Sequence, residues 1–178
     1  IFDGMIKRII LETDDSEDEK TKALFKMSKN IIDKGFLNKK ELIKILKWKS
    51  PRPLRFYNQN EENDIIHITK LALSQKNDAL NIHILSALKG VNYPSASAIL
   101  MFYNPDKFPV LDIRVWKQLY KCNLVNENPR GMNFTLEQWR KYLEVIRGLS
   151  IQYNLSARQI EKRIFDYDKL NQKGTLYS

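Results

Sequence analysis

A tight turn between two helices is predicted by Leu88-Lys-Gly-Val-Asn-Tyr-Pro-Ser-Ala-Ser-Ala-Ile-Leu100. Gly90 and Asn92 belong to the residue types that tolerate positive φ, which such a turn requires. Pro94 suits the first turn of the second helix, where a backbone N–H would have no partner within the helix. The small residues 95–98 let this helix approach a neighbour closely. Its N-terminus would present free N–H groups and a positive potential, which together favour an anion such as phosphate.

The segment after this second helix predicts a loop followed by another helix. It reads Asn104-Pro-Asp-Lys-Phe-Pro-Val-Leu-Asp-Ile-Arg-Val-Trp116, and its two prolines interrupt the helical pattern. The loop delivers Asp112 to the start of the new helix, where an aspartate carboxylate accepts hydrogen bonds from unpaired N–H groups. Asp112 can therefore serve as a structural cap, as a functional carboxylate, or as both.

Apolar residues recur at helical spacing through most of the chain, whereas alternating patterns rich in β-branched residues are scarce. This pattern predicts an all-α protein of roughly eight helices. In the last of them Arg158 and Glu161 are three residues apart, and we expect an exposed or half-buried ion pair of small energetic worth. Polar start signals mark several helices: Asn38 before 39–48, Asn60 before 61–74, Asn77 before 78–88, and the capping boxes Thr135–Gln138 and Ser156–Gln159.

The chain is basic, with 30 lysines and arginines against 21 acids in 178 residues and a net charge of +9. Residues 1–33 hold 8 acids and 6 bases, so the remainder, with 24 bases and 13 acids, carries the positive charge. A surplus of this size favours an anionic partner. The run from Lys39 to Arg55 is especially basic and includes Trp48. It fits either a solvated helix with buried aromatic rings or a wall that faces nucleic acid.

Cys122 is the single cysteine, which excludes an intramolecular disulfide framework and any all-cysteine iron–sulfur or zinc site. A lone thiol fits a reducing compartment, so we expect a cytoplasmic protein. We also expect a monomer. We expect no membrane association, because the apolar run from Ile6 to Leu11 is short and charge soon follows it. His67 and His83 fall in separate predicted helices without clustered ligands, which favours structural roles over a metal site.

The hairpin, the proline-bounded loop and the aspartate resemble the signature of the helix-hairpin-helix DNA glycosylase superfamily. They look most similar to its 8-oxoguanine DNA glycosylase branch, in the small form found in bacteria. The resemblance is specific from Ser86 to about Tyr120, and Trp48-Lys-Ser-Pro-Arg52 is similar to an element of small bacterial members. It implies a two-lobed, all-α domain over residues 1–178.

The resemblance also implies where the two lobes lie along the chain. One lobe would comprise about residues 1–57 together with 122–178. The other would comprise about residues 58–121, and it would contain the hairpin at 80–103. In the superfamily the hairpin binds a DNA phosphate, and the target nucleotide is flipped into a cleft between the lobes.

Transferred to this chain, the resemblance implies base excision on double-stranded DNA, a step of DNA repair. Asp112 would be the catalytic carboxylate, which supports cleavage of the N-glycosidic bond by stabilising an oxocarbenium-like sugar or by activating water. The implied DNA-binding residues are Lys89, Gly90, Asn92, Ser95 and Arg114. No cofactor is required, and the implied site for a potassium or sodium ion consists of the backbone carbonyls of Ser86, Leu88 and Val91.

Some positions depart from the pattern of the superfamily. Members that also nick the strand carry a lysine four residues after the first glycine of the hairpin. This position is Pro94 here, which has no amine to form a Schiff base, so we expect a monofunctional glycosylase without lyase activity. The usual second glycine is Asn92, and the loop from Pro105 to Asp112 is one residue longer than in the closest pattern.

Two other functions fit the same residues. A non-catalytic helix-hairpin-helix DNA-binding module would keep the phosphate-binding hairpin and release no base. A helical protein-interaction domain would use its basic surface to bind acidic proteins. A steep fall of DNA affinity with salt would indicate the glycosylase or the DNA-binding module, whereas a weak and shallow dependence would indicate the protein-interaction domain.

Overall fold

The regular structure of the described part of the chain is entirely helical. A computed structural model describes residues 2–174, and in this range there are ten helices and no strand. The all-α prediction is therefore confirmed. In chain order the helices are α1 (Phe2–Glu12), α2 (Glu19–Lys34), α3 (Lys39–Lys49), α4 (Leu54–Tyr57), α5 (Glu62–Ser74), α6 (Asp78–Leu85), α7 (Tyr93–Tyr103), α8 (Ile113–Lys121), α9 (Leu136–Tyr153) and α10 (Ala157–Asn171). Within the same residues, no helix has the length and apolar character needed to cross a membrane.

Side-chain caps begin most of the longer helices, in agreement with the sequence prediction. Asn38 accepts a hydrogen bond from the Glu41 N–H at 2.9 Å, and the Glu41 carboxylate accepts one from the Asn38 N–H, which completes a capping box. Similar boxes open α9 at Thr135 and α10 at Ser156, and Asn77 caps α6. These bonds satisfy N–H groups that the first turn of a helix leaves unpaired.

Two helix ends differ from the prediction. The N-cap residue of α5 is Glu61, which makes no side-chain cap bond, and the Asn60 side chain bonds elsewhere in the molecule. α6 ends at Leu85 rather than at Leu88, because the N–H groups of Ala87 and Leu88 bond three residues back instead of four. These tighter turns are typical of a helix terminus.

The chain divides into two compact units. The first unit comprises the described residues before Glu17 and from Asp106 onwards, and the second unit is Glu17–Pro105. The family resemblance implied boundaries near residues 57 and 121 instead. Packing between distant helices explains the difference, because α2 and α3 pack against α7, whereas α8 packs against α10.

Helix α7 is the central helix of the second unit. Residues 95–102 are all buried, so α7 is surrounded by neighbours rather than facing water on one side. The ring of Phe102 lies 4.9 Å, between centroids, from the rings of Phe25 on α2 and Trp48 on α3. These contacts place the basic helix α3 in the same unit as the predicted hairpin.

In the first unit, α1 packs against α10 and so joins the two segments of chain that form this unit. Arg163 on α10 donates a hydrogen bond to the Ile10 carbonyl at 2.7 Å and forms an ion pair with Asp15 at 2.8 Å. Helix α10 also packs against α8 and α9. Three isoleucines of α1 are buried: Ile6, Ile9 and Ile10.

Candidate functional site

The turn between α6 and α7 is built around Gly90. Its φ of +81° lies in the left-handed region, which disfavours any side chain. A Cβ atom at this position would lie 2.9 Å from the Cβ of Phe56 and 3.0 Å from Cδ1 of Tyr57. Non-bonded carbons prefer separations of about 3.5–4.0 Å. Glycine is therefore required both by the backbone conformation and by the space that α4 leaves.

The side chain of Asn60 holds the same turn. Its Oδ1 accepts a hydrogen bond from the Lys89 N–H at 2.8 Å, and its Nδ2 donates one to the Lys89 carbonyl at 3.1 Å. Nδ2 also donates to the Tyr57 carbonyl at 3.0 Å, and Asn60 is buried. One amide therefore bonds both backbone groups of Lys89 and ties the turn to the end of α4.

The turn leaves two backbone donors available at the start of α7. Asn92 is the N-cap residue, its Oδ1 accepts a hydrogen bond from the Ser95 N–H at 3.0 Å, and Pro94 has no N–H to offer. The N–H groups of Gly90 and Asn92 have no partner in residues 2–174. The positive end of the α7 dipole lies at the same place. The turn can therefore donate two hydrogen bonds to an anion.

The predicted DNA-binding residues of the hairpin differ in exposure. Lys89, Gly90 and Asn92 are exposed. The Lys89 ammonium lies 3.5 Å from the Gln59 carbonyl, which is a long and weak hydrogen bond. Ser95 is only 3% exposed and its N–H is used by the Asn92 cap. The structure thus brings three of these residues together on the surface and buries Ser95.

The backbone carbonyls predicted to bind a monovalent cation all lie between α6 and α7. The Leu88 carbonyl accepts a hydrogen bond from the Val91 N–H at 3.2 Å. A carbonyl oxygen has two lone pairs, so this bond leaves one for an ion. Across residues 2–174, no three histidine, cysteine, aspartate or glutamate side chains are grouped so as to hold a metal ion. A cation at this turn would therefore depend on backbone oxygens such as those of Ser86 and Leu88.

Asp112 begins α8, at the end of the proline-bounded loop in the first unit. Its Oδ1 accepts a hydrogen bond from the Arg114 N–H at 2.8 Å, which makes it the N-cap residue of this helix. The predicted position at a helix start is confirmed. Asp112 is 8% exposed. The cap gives this largely buried carboxylate a defined position relative to α8.

Helices α9 and α10 hold the loop that leads to Asp112. The Tyr142 hydroxyl donates a hydrogen bond to the Val110 carbonyl at 2.6 Å. The Val110 N–H donates to Oε2 of Glu161 at 3.4 Å. Both backbone groups of Val110, two residues before Asp112, are therefore bonded to side chains from distant parts of the chain.

Glu161 forms a buried ion pair with Arg158. Nη1 of Arg158 lies 2.6 Å from Oε2 of Glu161, and the two side chains are 8% and 2% exposed. The expectation of an exposed or half-buried pair is therefore wrong. The spacing of three residues predicts that the two side chains meet, but it does not predict which face of α10 is buried.

Burial gives the polar groups around Glu161 unusual acidities. Loss of solvent raises the pKa of Glu161, the Arg158 guanidinium opposes this shift, and the negative charge of Asp112 reinforces it. Burial also raises the pKa of Tyr142 well above its ordinary value, and the charges of Glu161 and Asp112 add to that effect. These four residues are electrically coupled, and we call them the Asp112 cluster.

Arg114, also predicted to bind DNA, is engaged within the first unit. Its Nη1 lies 3.0 Å from Oδ2 of Asp168 and also bonds to Gln172. The Asp168 side chain is 3% exposed, and its other oxygen accepts a hydrogen bond from Gln118 at 2.6 Å. The Arg114 side chain remains 24% exposed. A phosphate would therefore meet a guanidinium that already has a carboxylate partner.

Sequence reasoning missed the roles that three residues play in the candidate site: Asn60, Tyr142 and Glu161. They bond to backbone groups 29, 32 and 51 residues away, so no local motif marks them. One weak signal is present in α10, where Glu161 falls between the apolar residues Ile160 and Ile164. An acid on an apolar helix face indicates a buried role.

The geometry thus provides a turn with two unpaired N–H groups in the second unit and the Asp112 cluster in the first. Function must be inferred from these two groups of residues. No family model matches the chain, and no match is found among curated proteins or solved structures.

Proposed function

We propose that this chain binds double-stranded DNA through the turn between α6 and α7 and excises a modified or damaged base. The observation that carries the proposal is the pair of unpaired N–H groups of Gly90 and Asn92 beside the exposed Lys89. Backbone donors at a helix N-terminus bind phosphate without reading the base sequence, which suits docking on the DNA backbone. The net charge of +9 favours the same kind of partner.

Asp112 is the proposed catalytic carboxylate. Cleavage of an N-glycosidic bond develops positive charge on the sugar, which a nearby carboxylate stabilises. Such stabilisation is strongest where the group is shielded from water and held in place before the reaction. Burial of Asp112 and its position at the start of α8 support this role.

Water is the proposed nucleophile. The residue four positions after Gly90 is Pro94, which has no amine to attack the sugar. In the proposed reaction the N-glycosidic bond breaks, the oxygen of water bonds to the anomeric carbon, and the base leaves with a proton. This hydrolysis requires neither a redox cofactor nor a metal ion.

The proposal is tested by measuring base release from a panel of duplexes, each containing one modified base. We expect Asp112→Asn to lower base release by about a hundredfold or more, because the carboxylate acts mainly in the transition state. DNA affinity should stay within a few fold. Asparagine caps a helix about as well as aspartate does, so Tm should change little.

Asp18→Asn is the matched control for this experiment. Asp18 caps α2 in the same way, by accepting a hydrogen bond from the Thr21 N–H at 2.7 Å, and it lies outside the candidate site. Base release should be unchanged in this variant. Retained release by folded Asp112→Asn would contradict the catalytic role. If the wild type binds DNA but releases no base from any duplex, the non-catalytic DNA-binding module is favoured.

A further inference from the structure

A groove of about 490 Å³ lies between α2 and α3 in the second unit. Its volume falls in the range of sites that hold small organic molecules, roughly 300–1,000 Å³. Neither the turn between α6 and α7 nor the Asp112 cluster contributes to its lining. The groove is therefore a separate feature from the site proposed above. Apolar side chains form much of its wall: Ala23, Leu24, Met27, Trp48 and Pro51.

The apolar wall of this groove is held in place before any ligand arrives. Nε1 of Trp48 donates a hydrogen bond to Oγ1 of Thr21 at 2.9 Å. The Trp48 ring also packs edge-on against Phe102, with centroids 4.9 Å apart. Thr21 and Phe102 are themselves buried. A preformed apolar surface binds a ligand at a lower entropic cost than a mobile one.

All the charge of the lining is positive. It comes from Lys20 on α2 and from Lys44 and Lys47 on α3, and no acid lines the groove. All three lysines are exposed, and none has a carboxylate partner in the described residues 2–174. Three free ammonium groups beside an apolar wall complement a ligand that carries an anionic group on an apolar body.

The lining is poorly suited to a nucleobase. Proteins that take up a single base bind its edge through hydrogen bonds as well as stacking on its face. Apart from the three ammonium groups, the only polar side-chain atom of the lining is Nε1 of Trp48, which already donates to Thr21. We therefore propose that the groove binds a small amphiphilic anion, an aliphatic or aromatic acid, independently of any action on DNA.

Decanoate and its neutral analogue decanol test the need for the anionic group. Isothermal titration calorimetry on the full chain measures both affinities, and tryptophan fluorescence provides a second readout. Trp48 lines the groove, whereas Trp116 and Trp139 belong to the first unit, so we expect ligand binding to change the fluorescence of Trp48. We expect decanoate to bind about tenfold or more tightly than decanol, because the alcohol offers no charge to the lysines. Equal affinities would overturn the proposal.

Paired variants locate the binding site. Lys44→Gln with Lys47→Gln removes two charges from the groove, whereas Lys29→Gln with Lys40→Gln removes two exposed charges from the same helices outside it. We expect the first pair to weaken decanoate binding by about tenfold and the control pair by less than about twofold. Equal effects of the two pairs would mean that decanoate responds only to the net charge, and the proposed site would be wrong.

A third variant tests the groove without removing a lysine. Ala23→Glu introduces a carboxylate at an exposed position of α2 that lines the groove, and glutamate is accepted well in a helix. It should weaken decanoate binding about tenfold while leaving the free energy of unfolding nearly unchanged. Unchanged decanoate binding by this variant would exclude the groove as the binding site.

A competition experiment with DNA shows whether the groove is a separate ligand site or an extension of the proposed DNA-binding surface. Decanoate binding is measured again in the presence of a saturating duplex oligonucleotide. We expect its affinity to change by less than about twofold, since the two ligands use different residues. Displacement of decanoate by the duplex would assign the groove to nucleic acid and overturn the proposal, whether or not the chain releases a base.

Discussion

Asn60 bonds to both backbone groups of Lys89, so its loss should affect stability and DNA binding together. Asn60→Ala is expected to lower the free energy of unfolding by about 1–3 kcal/mol, because buried hydrogen bonds are lost without replacement. We also expect weaker DNA binding, since the turn that offers the N–H groups of Gly90 and Asn92 is no longer held in one conformation. Thermal unfolding and fluorescence anisotropy with a labelled duplex measure the two effects.

Asn81→Ala is the matched control for Asn60. Asn81 is 2% exposed, and its amide donates to the carbonyls of Ala72 and Gln75, outside the turn. This variant should lose a similar amount of stability and keep its DNA affinity at a temperature where both variants are folded. An equal loss of DNA affinity in the two variants would show that Asn60 affects DNA binding only through the overall stability of the protein.

Glu161 makes the free energy of unfolding depend on pH. Burial raises its pKa above the ordinary value of 4.5, so between 4.5 and the raised value the folded state binds more protons than the unfolded state. The stability contributed by protonated Glu161 is therefore fully present below pH 4.5 and is lost as the pH rises through the folded pKa. Glutamine resembles the protonated acid, so Glu161→Gln should not show this loss.

Urea unfolding from about pH 4 to about pH 8 measures this effect. The substitution removes one titrating group, so the difference between the two curves reports on Glu161 together with the residues coupled to it. We expect the stability of Glu161→Gln relative to wild type to increase with pH across this range. Parallel curves would show that the pKa of Glu161 is not raised, and a difference of opposite sign would show that Arg158 outweighs burial.

At the level of helices, the starts of α3, α6, α8, α9 and α10 could be predicted because capping is local. In each case the capping side chain bonds to an N–H group two or three residues ahead, within the same stretch of sequence. The start of α5 could not be predicted in this way. Asn60 has the right chemistry for a cap, but Lys89 offers it two partners from a distant segment.

The same distinction applies to the candidate site. The turn residues Gly90 and Pro94 could be identified because their backbone preferences are intrinsic to each residue. The expectation that Asn92 adopts a positive φ is wrong, because its φ is −95° and its side chain caps α7 instead. The partners of Arg114 could not, since Asp168 lies 54 residues further along the chain. The helical pattern of α10 marks Asp168 as one polar residue among several, and only packing against α8 makes it an ion-pair partner.

Gly90 and Gly35 allow the backbone and steric requirements of a turn to be measured separately. Their φ angles are +81° and +75°, but a Cβ at Gly35 would have nothing within 4 Å. Gly35→Ala should therefore lose about 1–2 kcal/mol of stability from its left-handed backbone alone. Gly90→Ala should lose about 1–3 kcal/mol more, because the new Cβ would meet Phe56.

Chemical denaturation of the two variants checks this comparison. Equal losses of stability would show that α4 moves aside without cost, and that steric contact plays no part in the choice of glycine at position 90. A larger loss for Gly90→Ala would show that α4 and the turn are packed as one rigid element, as the contacts of Asn60 also indicate.

For the molecule as a whole, we expect DNA affinity to fall steeply with salt concentration because the net charge is +9. Each neutralised phosphate contributes about −0.9 to the slope of log affinity against log salt concentration. Lys89→Gln should make the slope shallower by about one. Lys70→Gln removes an equal charge from an exposed position on α5 and should leave the slope nearly unchanged. A shallow slope in the wild type would favour the protein-interaction domain instead.

The division into two units gives the chain a particular order of events during synthesis. The first unit needs α1 to pack against α10, and the whole of the second unit lies between them in the sequence. At about 5–20 residues per second, α10 leaves the ribosome on the order of ten seconds after α1. The second unit can fold during this interval. Until then the isoleucines of α1 lack α10 as a packing partner, so we expect the first unit to fold after the second.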